Sequence, residues 1–111
     1  MLRWFRKLLG LKGREEILIE VIQRNPYIID VRTPAEYKMG HVQQAVNISL
    51  DQIKSNVEKI RKFDKPVVTC CQTGSRSGRA ARILKRKGIE AYNGGGWVNL
   101  KDIIKAANSI G

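Results

Sequence analysis

The stretch VVTCCQTGSRSGRAARIL, Val67 to Leu84, decides how this chain is read. It opens on an apolar, β-branched run and passes through a short polar loop holding Gly74. It then continues as a segment in which Ala80, Ala81, Ile83 and Leu84 recur at helical spacing. A strand over Pro66 to Cys70 and a helix over Ser77 to Lys87 are predicted, the helix stopped by Gly88. A strand-to-helix turn of this kind aims several backbone N–H groups and a helix N-terminus at one point in space. A thiol held at that point is drawn toward thiolate. Cys71 stands at the mouth of the loop, Gly74 permits the tight bend and Arg76 adds a full positive charge. The local reading is a nucleophilic cysteine in an anion-holding cradle.

Outward from this unit the same alternation repeats. Upstream, Ile17, Leu18, Val21 and Ile22 mark a helix over Arg14 to Arg24, which Asn25-Pro26 ends. Tyr27 to Val31 is a short apolar strand broken only by Asp30, a polar side chain delivered near a carboxyl edge. Thr33-Pro34 with Glu36 spells a capping box for a short helix that stops at Gly40. Ala45 to Ile48 reads as a strand, and Ser49 to Ile60 as a helix turning Leu50, Ile53, Val57 and Ile60 inward. Downstream come a strand over Ile89 to Tyr92, a loop over Asn93 to Gly96 and a closing helix over Trp97 to Ala107. Strands alternating with helices, without hairpin signals, predict an α/β domain around a mainly parallel sheet.

Composition sets the bounds. The chain has 111 residues, 42% of them hydrophobic, enough for one domain with a packed interior and too much for global disorder. Its two cysteines, Cys70 and Cys71, are adjacent, so no disulfide framework staples the fold. No apolar run approaches the ~20 residues of a membrane-spanning helix. The formal charge is +11, and residues 1–14 hold Arg3, Arg6, Lys7, Lys12 and Arg14 with no acid. On a helix, Trp4, Phe5, Leu8 and Leu9 of MLRWFRKLLGL gather opposite Arg3, Arg6 and Lys7. Residues 1–13 are therefore read as a basic amphipathic leader for a membrane surface, a partner or the chain's own core, and residues 14–111 as one domain. Basic residues are not interleaved with aromatics beyond the leader, so nucleic acid is not indicated as a partner.

Cys71-Gln72-Thr73-Gly74-Ser75-Arg76-Ser77 resembles the C-x-x-G-x-R-S loop of rhodanese-like sulfurtransferases. Asp30-Val31-Arg32 with Glu36-Tyr37, Gly40-His41-Val42, Ala45 to Ile48, and Gly95-Gly96-Trp97 are similar to further blocks of that family, in the same order. The resemblance implies a mainly parallel five-stranded sheet with helices on both faces. It implies a Cys71 persulfide that takes sulfane sulfur from thiosulfate or another persulfide and passes it to cyanide, a thiol or a protein. Gln72, Thr73, Gly74, Ser75, Arg76 and Ser77 would form the substrate cradle, with Asp30 and Arg32 in support. No metal and no organic cofactor is implied. The missing signal sequence and reduced-looking cysteines set the expected compartment as the cytoplasm, with the membrane surface as an option for the leader.

Competing readings stand beside these. Counted from Cys70 the spacing to Arg76 is C-x5-R, the cysteine phosphatase and arsenate reductase pattern, although Thr69 precedes it and Gly74 falls one place late. Otherwise Cys70 is a small buried residue or a resolving thiol. A carrier or binding module without turnover is a further alternative. Asp30 and Arg32 either frame the loop or serve structure, with Arg32 meeting Glu36. His41, the single histidine, is read as bracing its turn and not as a base, and Trp97 as pocket edge or core. Gln72 stands where many relatives carry a basic residue, which favours a persulfide over thiosulfate as donor.

Overall fold

A computed structural model of the chain describes residues 12–110. Four parallel strands, β1 (Tyr27–Asp30), β2 (Val46–Asn47), β3 (Val67–Cys71) and β4 (Ala91–Gly96), lie in the order β2-β1-β3-β4. Among the described residues the sheet therefore has four strands, not the expected five. The helices are α1 (Arg14–Ile22), α2 (Pro34–Lys38), α3 (Val57–Lys62), α4 (Ser75–Arg86) and α5 (Trp97–Ile110). From β1 the chain first builds outward to β2, then crosses back to place β3 on β1's other side. The carboxyl ends of β1 and β3 thus flank a topological switch point, where α/β sheets leave a crevice.

Strand pleating divides the interior into two layers. On one face Ile28, Val68 and Cys70 meet Leu18, Val21 and Ile22 of α1 and Leu100, Ile103 and Ile104 of α5. On the other, Ile29, Val31, Val67 and Cys71 meet Val57 and Ile60 of α3 and Ala80, Ala81 and Leu84 of α4. Each fully buried aliphatic side chain contributes about 1.5–3 kcal/mol of transfer free energy, so both layers help to hold the sheet together beneath the loop.

Several local expectations hold and three change. Thr33 and Glu36 form the reciprocal capping box, with Glu36 N donating to Thr33 Oγ1 at 3.3 Å and Thr33 N to Glu36 Oε1 at 3.1 Å. The region 49–60 is not one helix: it makes two 3₁₀ turns, Leu50–Gln52 and Lys54–Asn56, before α3 begins. Ser49 Oγ turns to Asp51, while Ser55 Oγ and Asn56 Nδ2 both donate to the Gln52 carbonyl. These side chains compete with the regular helical ladder. The loop expected over Asn93 to Gly96 is the second half of β4. A Cβ at Gly94 would stand 2.7 Å from the Thr69 carbonyl oxygen, so only glycine lets this strand seat against β3. Finally α4 starts at Ser75 and not Ser77, because Gly74 caps it in the left-handed conformation, φ 100°. The leader reading falls on residues 1–13, of which 1–11 lie outside the described residues; Lys12 bonds Glu20 at 2.6 Å and Gly13 caps α1.

Candidate active site

Cys71 ends β3 and its side chain lies on the α4 face, 1% exposed. The chain then turns through Gln72 and Thr73 to Gly74, whose positive φ reverses it into the first turn of α4. This reversal brings backbone donors back onto the sulfur: Gly74 N lies 3.0 Å from Sγ and Ser77 N 3.4 Å. Ser77 Oγ lies 3.3 Å from Sγ. Burial, the largest single influence, pushes the Cys71 thiol up, but the bonds from Ser77 Oγ, Ser77 N, Gly74 N and Thr73 N more than offset it. The net direction is below a thiol's ordinary value, because donors aimed at sulfur favour its charged form. Of the six cradle residues named from sequence, Thr73, Gly74 and Ser77 reach the sulfur; Gln72 and Ser75 are exposed around them.

The sequence sets the Arg76 charge at the loop, and in the structure a carboxylate partners it. Its guanidinium takes the Glu36 carboxylate in a two-pronged pair, 2.6 Å and 2.9 Å. The hydrogen bonds from Arg76, helped by the capping box, hold the Glu36 carboxyl down at about 2. The pair ties α2 to the first turn of α4. Arg76 also lines a cavity of about 480 Å³, floored by Val31, Leu50 and Ile83, with Lys54 and Arg79 on its rim.

Arg32 does not meet Glu36. Asp30 and Arg32 form their own buried pair, Nη2 to Oδ2 at 2.7 Å, on the opposite face from Cys71. Arg32 Nη2 also donates to the Gly40 carbonyl, and the guanidinium lies 5.0 Å from the centre of the Trp97 ring. Trp97 thus sits as a half-buried lid on this structural pair. His41 braces its turn, Nδ1 2.8 Å from the Tyr37 carbonyl oxygen and its ring stacked on Tyr37. Cys70 is fully buried beside Asp30 and Arg32. Burial, then the neighbouring Asp30 charge, pushes its thiol up to about 12.

One residue of the site escaped sequence reading. Asn93, on β4, donates from Nδ2 to the Gly74 carbonyl at 3.0 Å, while its Oδ1 accepts from Ser77 Oγ at 2.7 Å and Gly95 N at 2.9 Å. Arg14 of α1 in turn donates to the Asn93 carbonyl at 2.8 Å. A polar amide beside a glycine run at the carboxyl edge of a strand was the available signal.

The chain that carries this cysteine at the end of a parallel strand is similar to known proteins in sequence and in fold. The family model for the Rhodanese-like domain matches residues 14–102, and the chain belongs to that family. It is 39% identical over 77 residues to thiosulfate sulfurtransferase PspE of Escherichia coli (strain K12), covering 68% of this chain and 71% of PspE. It is 48% identical over 71 residues to YqhL of Bacillus subtilis (strain 168), covering 63% of this chain but only 56% of YqhL. Among solved structures, it is similar to reduced Bacillus anthracis CoADR-RHD at a TM-score of 0.67 and 30% identity, over 86% of this chain and 17% of that one. It is also similar to a rhodanese with anions from E. coli, at a TM-score of 0.60 and 35% identity, over 65% of this chain and 87% of that one.

Proposed function

We propose that this chain is a sulfurtransferase that carries sulfane sulfur on Cys71. The observation that carries the reading is the convergence of Gly74 N, Ser77 N and Ser77 Oγ on Cys71 Sγ. A nucleophile must be ionised and an anionic intermediate must be held without water, and fixed backbone donors supply both needs. With thiosulfate, the thiolate attacks the outer sulfur; the sulfur–sulfur bond of the donor breaks and its electron pair leaves with sulfite. Cys71 then bears a persulfide whose charge sits on the outer atom. An acceptor thiolate or cyanide attacks that atom, forms a new bond to it and returns the electron pair to Cys71. Charge balances in both steps, and no base, metal or organic cofactor enters.

The cavity that Arg76 lines sets Lys54 and Arg79 against a single acid, Asp51, over an apolar floor, and this excess of positive charge supports anionic donors and acceptors. Gln72 adds no charge at the loop, which favours a persulfide over thiosulfate as donor. Two free cysteines suit a reducing compartment, the cytoplasm, with residues 1–13 delivering the domain to a membrane surface or partner. Cys70 gives the C-x5-R reading no support, since its thiol lies in the opposite layer with a raised pKa.

The test is intact-mass analysis after treatment with thiosulfate or glutathione persulfide. The wild type and Cys70→Ser gain the mass of one sulfur atom, and cyanide removes it; Cys71→Ser gains none. Loading that persists in Cys71→Ser, or is lost in Cys70→Ser, overturns the reading.

A further inference from the structure

The Ser77 hydroxyl stands between two acceptors, Asn93 Oδ1 at 2.7 Å and Cys71 Sγ at 3.3 Å. A serine hydroxyl carries one hydrogen, so it serves one acceptor at a time. Nor is the orientation of the Asn93 amide free. The Gly95 N–H can only donate and meets Oδ1; the Gly74 carbonyl can only accept and meets Nδ2. Turning the amide over would set donor against donor and acceptor against acceptor. Asn93 therefore presents Ser77 with an acceptor oxygen in every state of Cys71.

We propose that Asn93 is a positioning residue that competes with Cys71 for the Ser77 hydroxyl, so that the hydroxyl hydrogen follows the charge on the Cys71 sulfur. In the thiol form, Cys71 S–H donates to Ser77 Oγ and the hydroxyl hydrogen goes on to Asn93. When the thiol proton leaves to solvent, Sγ becomes an acceptor and the hydroxyl hydrogen turns to it; Asn93 Oδ1 keeps the Gly95 N–H. In the sulfur-loaded form, which rests on the function proposed above, the charge has moved to the outer sulfur. The inner sulfur is then a weak acceptor, and the hydrogen returns to Asn93. Only the free thiolate has to give up the Ser77–Asn93 bond, so Asn93 tilts the site away from the empty thiolate and toward the loaded carrier.

Charged neighbours act on Cys71 independently of this competition. Arg76 of α4 faces it but is held by Glu36 of α2, with Arg79 of α4 and Lys54 farther out on the cavity rim. Cys70 of β3, with Asp30 of β1 and Arg32 beyond it, lies across the sheet. Arg14 of α1 reaches only the Asn93 carbonyl. None of these touches the Ser77 hydroxyl.

The test is a cycle on the ionisation of Cys71 in the full chain, followed by the ultraviolet absorbance of the thiolate as pH rises, with Cys71→Ser as blank. The quantity read is the rise in midpoint caused by Ser77→Ala, in the unaltered chain and in Asn93→Leu and Asn93→Asp backgrounds. Leucine keeps much the same volume but offers no acceptor, leaving Ser77 to Cys71 alone. The rise then grows by about half to one pH unit, a three- to tenfold change in thiolate fraction. Aspartate loses the donor to the Gly74 carbonyl whether Ser77 is present or replaced, so that loss cancels in the difference. It keeps an acceptor toward Ser77 and holds the hydroxyl harder, so the rise shrinks. The expected order is Asn93→Leu above unaltered above Asn93→Asp.

An equal rise in all backgrounds, or the reverse order, overturns the proposal. A purely structural Asn93 shifts every midpoint but leaves the Ser77→Ala difference alone. Should Asn93→Leu fail to fold, the aspartate pair decides: a smaller rise than in the unaltered chain supports the competition, and an equal or larger one overturns it. No sulfur donor enters this measurement, so failure to load sulfur and failure of the competition are separate results.

Discussion

Cys70 and Cys71 are consecutive in one strand and equally withdrawn from water, 0% and 1% exposed, yet their thiols are pushed in opposite directions. The pleat sends Cys70 among the aliphatic side chains of α1 and α5, beside the Asp30 carboxylate, where its charged form has no donor among the described residues. It sends Cys71 under the returning turn, where amides and a hydroxyl converge. Surface exposure alone therefore does not decide ionisation here. Burial pushes both thiols up and sets the direction for Cys70, whereas at Cys71 the N–H groups and hydroxyl aimed at the sulfur outweigh it.

The largest effect expected from testing this contrast falls on the Cys70 face. Asp30→Asn leaves the Arg32 guanidinium buried without its counter-charge, a loss of about 3–5 kcal/mol in urea unfolding. The thiolate midpoint of Cys71 stays where it was. A midpoint that moved as far as it does in Ser77→Ala would break the comparison, because the two faces would then be one electrostatic unit.

Next in size is Gly74→Ala, which forces a side chain onto a residue at φ 100° and sets its Cβ 3.3 Å from Gly95 Cα. Strain of this kind costs about 1–3 kcal/mol. The displaced amide also raises the Cys71 midpoint, which a pH series of thiolate absorbance reads.

Linkage sharpens the contrast further. The Cys71 thiol is lowered in the folded chain, so it contributes stability above the unfolded value of 9.0 that is lost as pH falls through its folded value. Cys70, raised to about 12, keeps its proton in the folded chain while the unfolded chain loses it, so it erodes stability as pH climbs from 9.0 toward 12. Urea midpoints across pH, wild type against Cys71→Ser and against Cys70→Ser, are expected to diverge with opposite slopes. Parallel slopes would refute the assignment of the two environments.

The smallest effect is on the cavity rim. Lys54→Ala with Arg79→Ala should raise KM for an anionic donor roughly twofold to fivefold at low salt, an effect that fades as salt screens exposed charges. The extent of loading at saturation stays unchanged.

What the sequence made legible was local. The strand–loop–helix around Cys71, the alternating faces of Cys70 and Cys71, and the Thr33–Glu36 box are set by residues within a few positions of one another. What it hid was either long-range or ambiguous in period. Glu36 and Arg76 are 40 residues apart, and nothing in either neighbourhood announces the other. Asn93 reaches back 16 and 19 residues to Ser77 and Gly74. The glycine run after it read as a loop because glycine weakens a strand, whereas here the absent side chain is what permits the strand. Leu50, Ile53, Val57 and Ile60 face inward at a spacing that short 3₁₀ turns satisfy as well as an α-helix, and Ser55 and Asn56 chose between them.

The seating of Gly94 has a consequence for the strand beside it. With the Thr69 carbonyl oxygen and Val68 Cγ1 each 2.7 Å from where a side chain would begin, β4 lies close against β3 in the layer opposite Cys71, and the register between the two strands shifts between Thr69 and Cys71, just before the sulfur. On the far side of the sulfur the turn presents Gln72, Thr73 and Ser75 to solvent. The side that meets water and the side that holds the sulfur thus belong to a single turn.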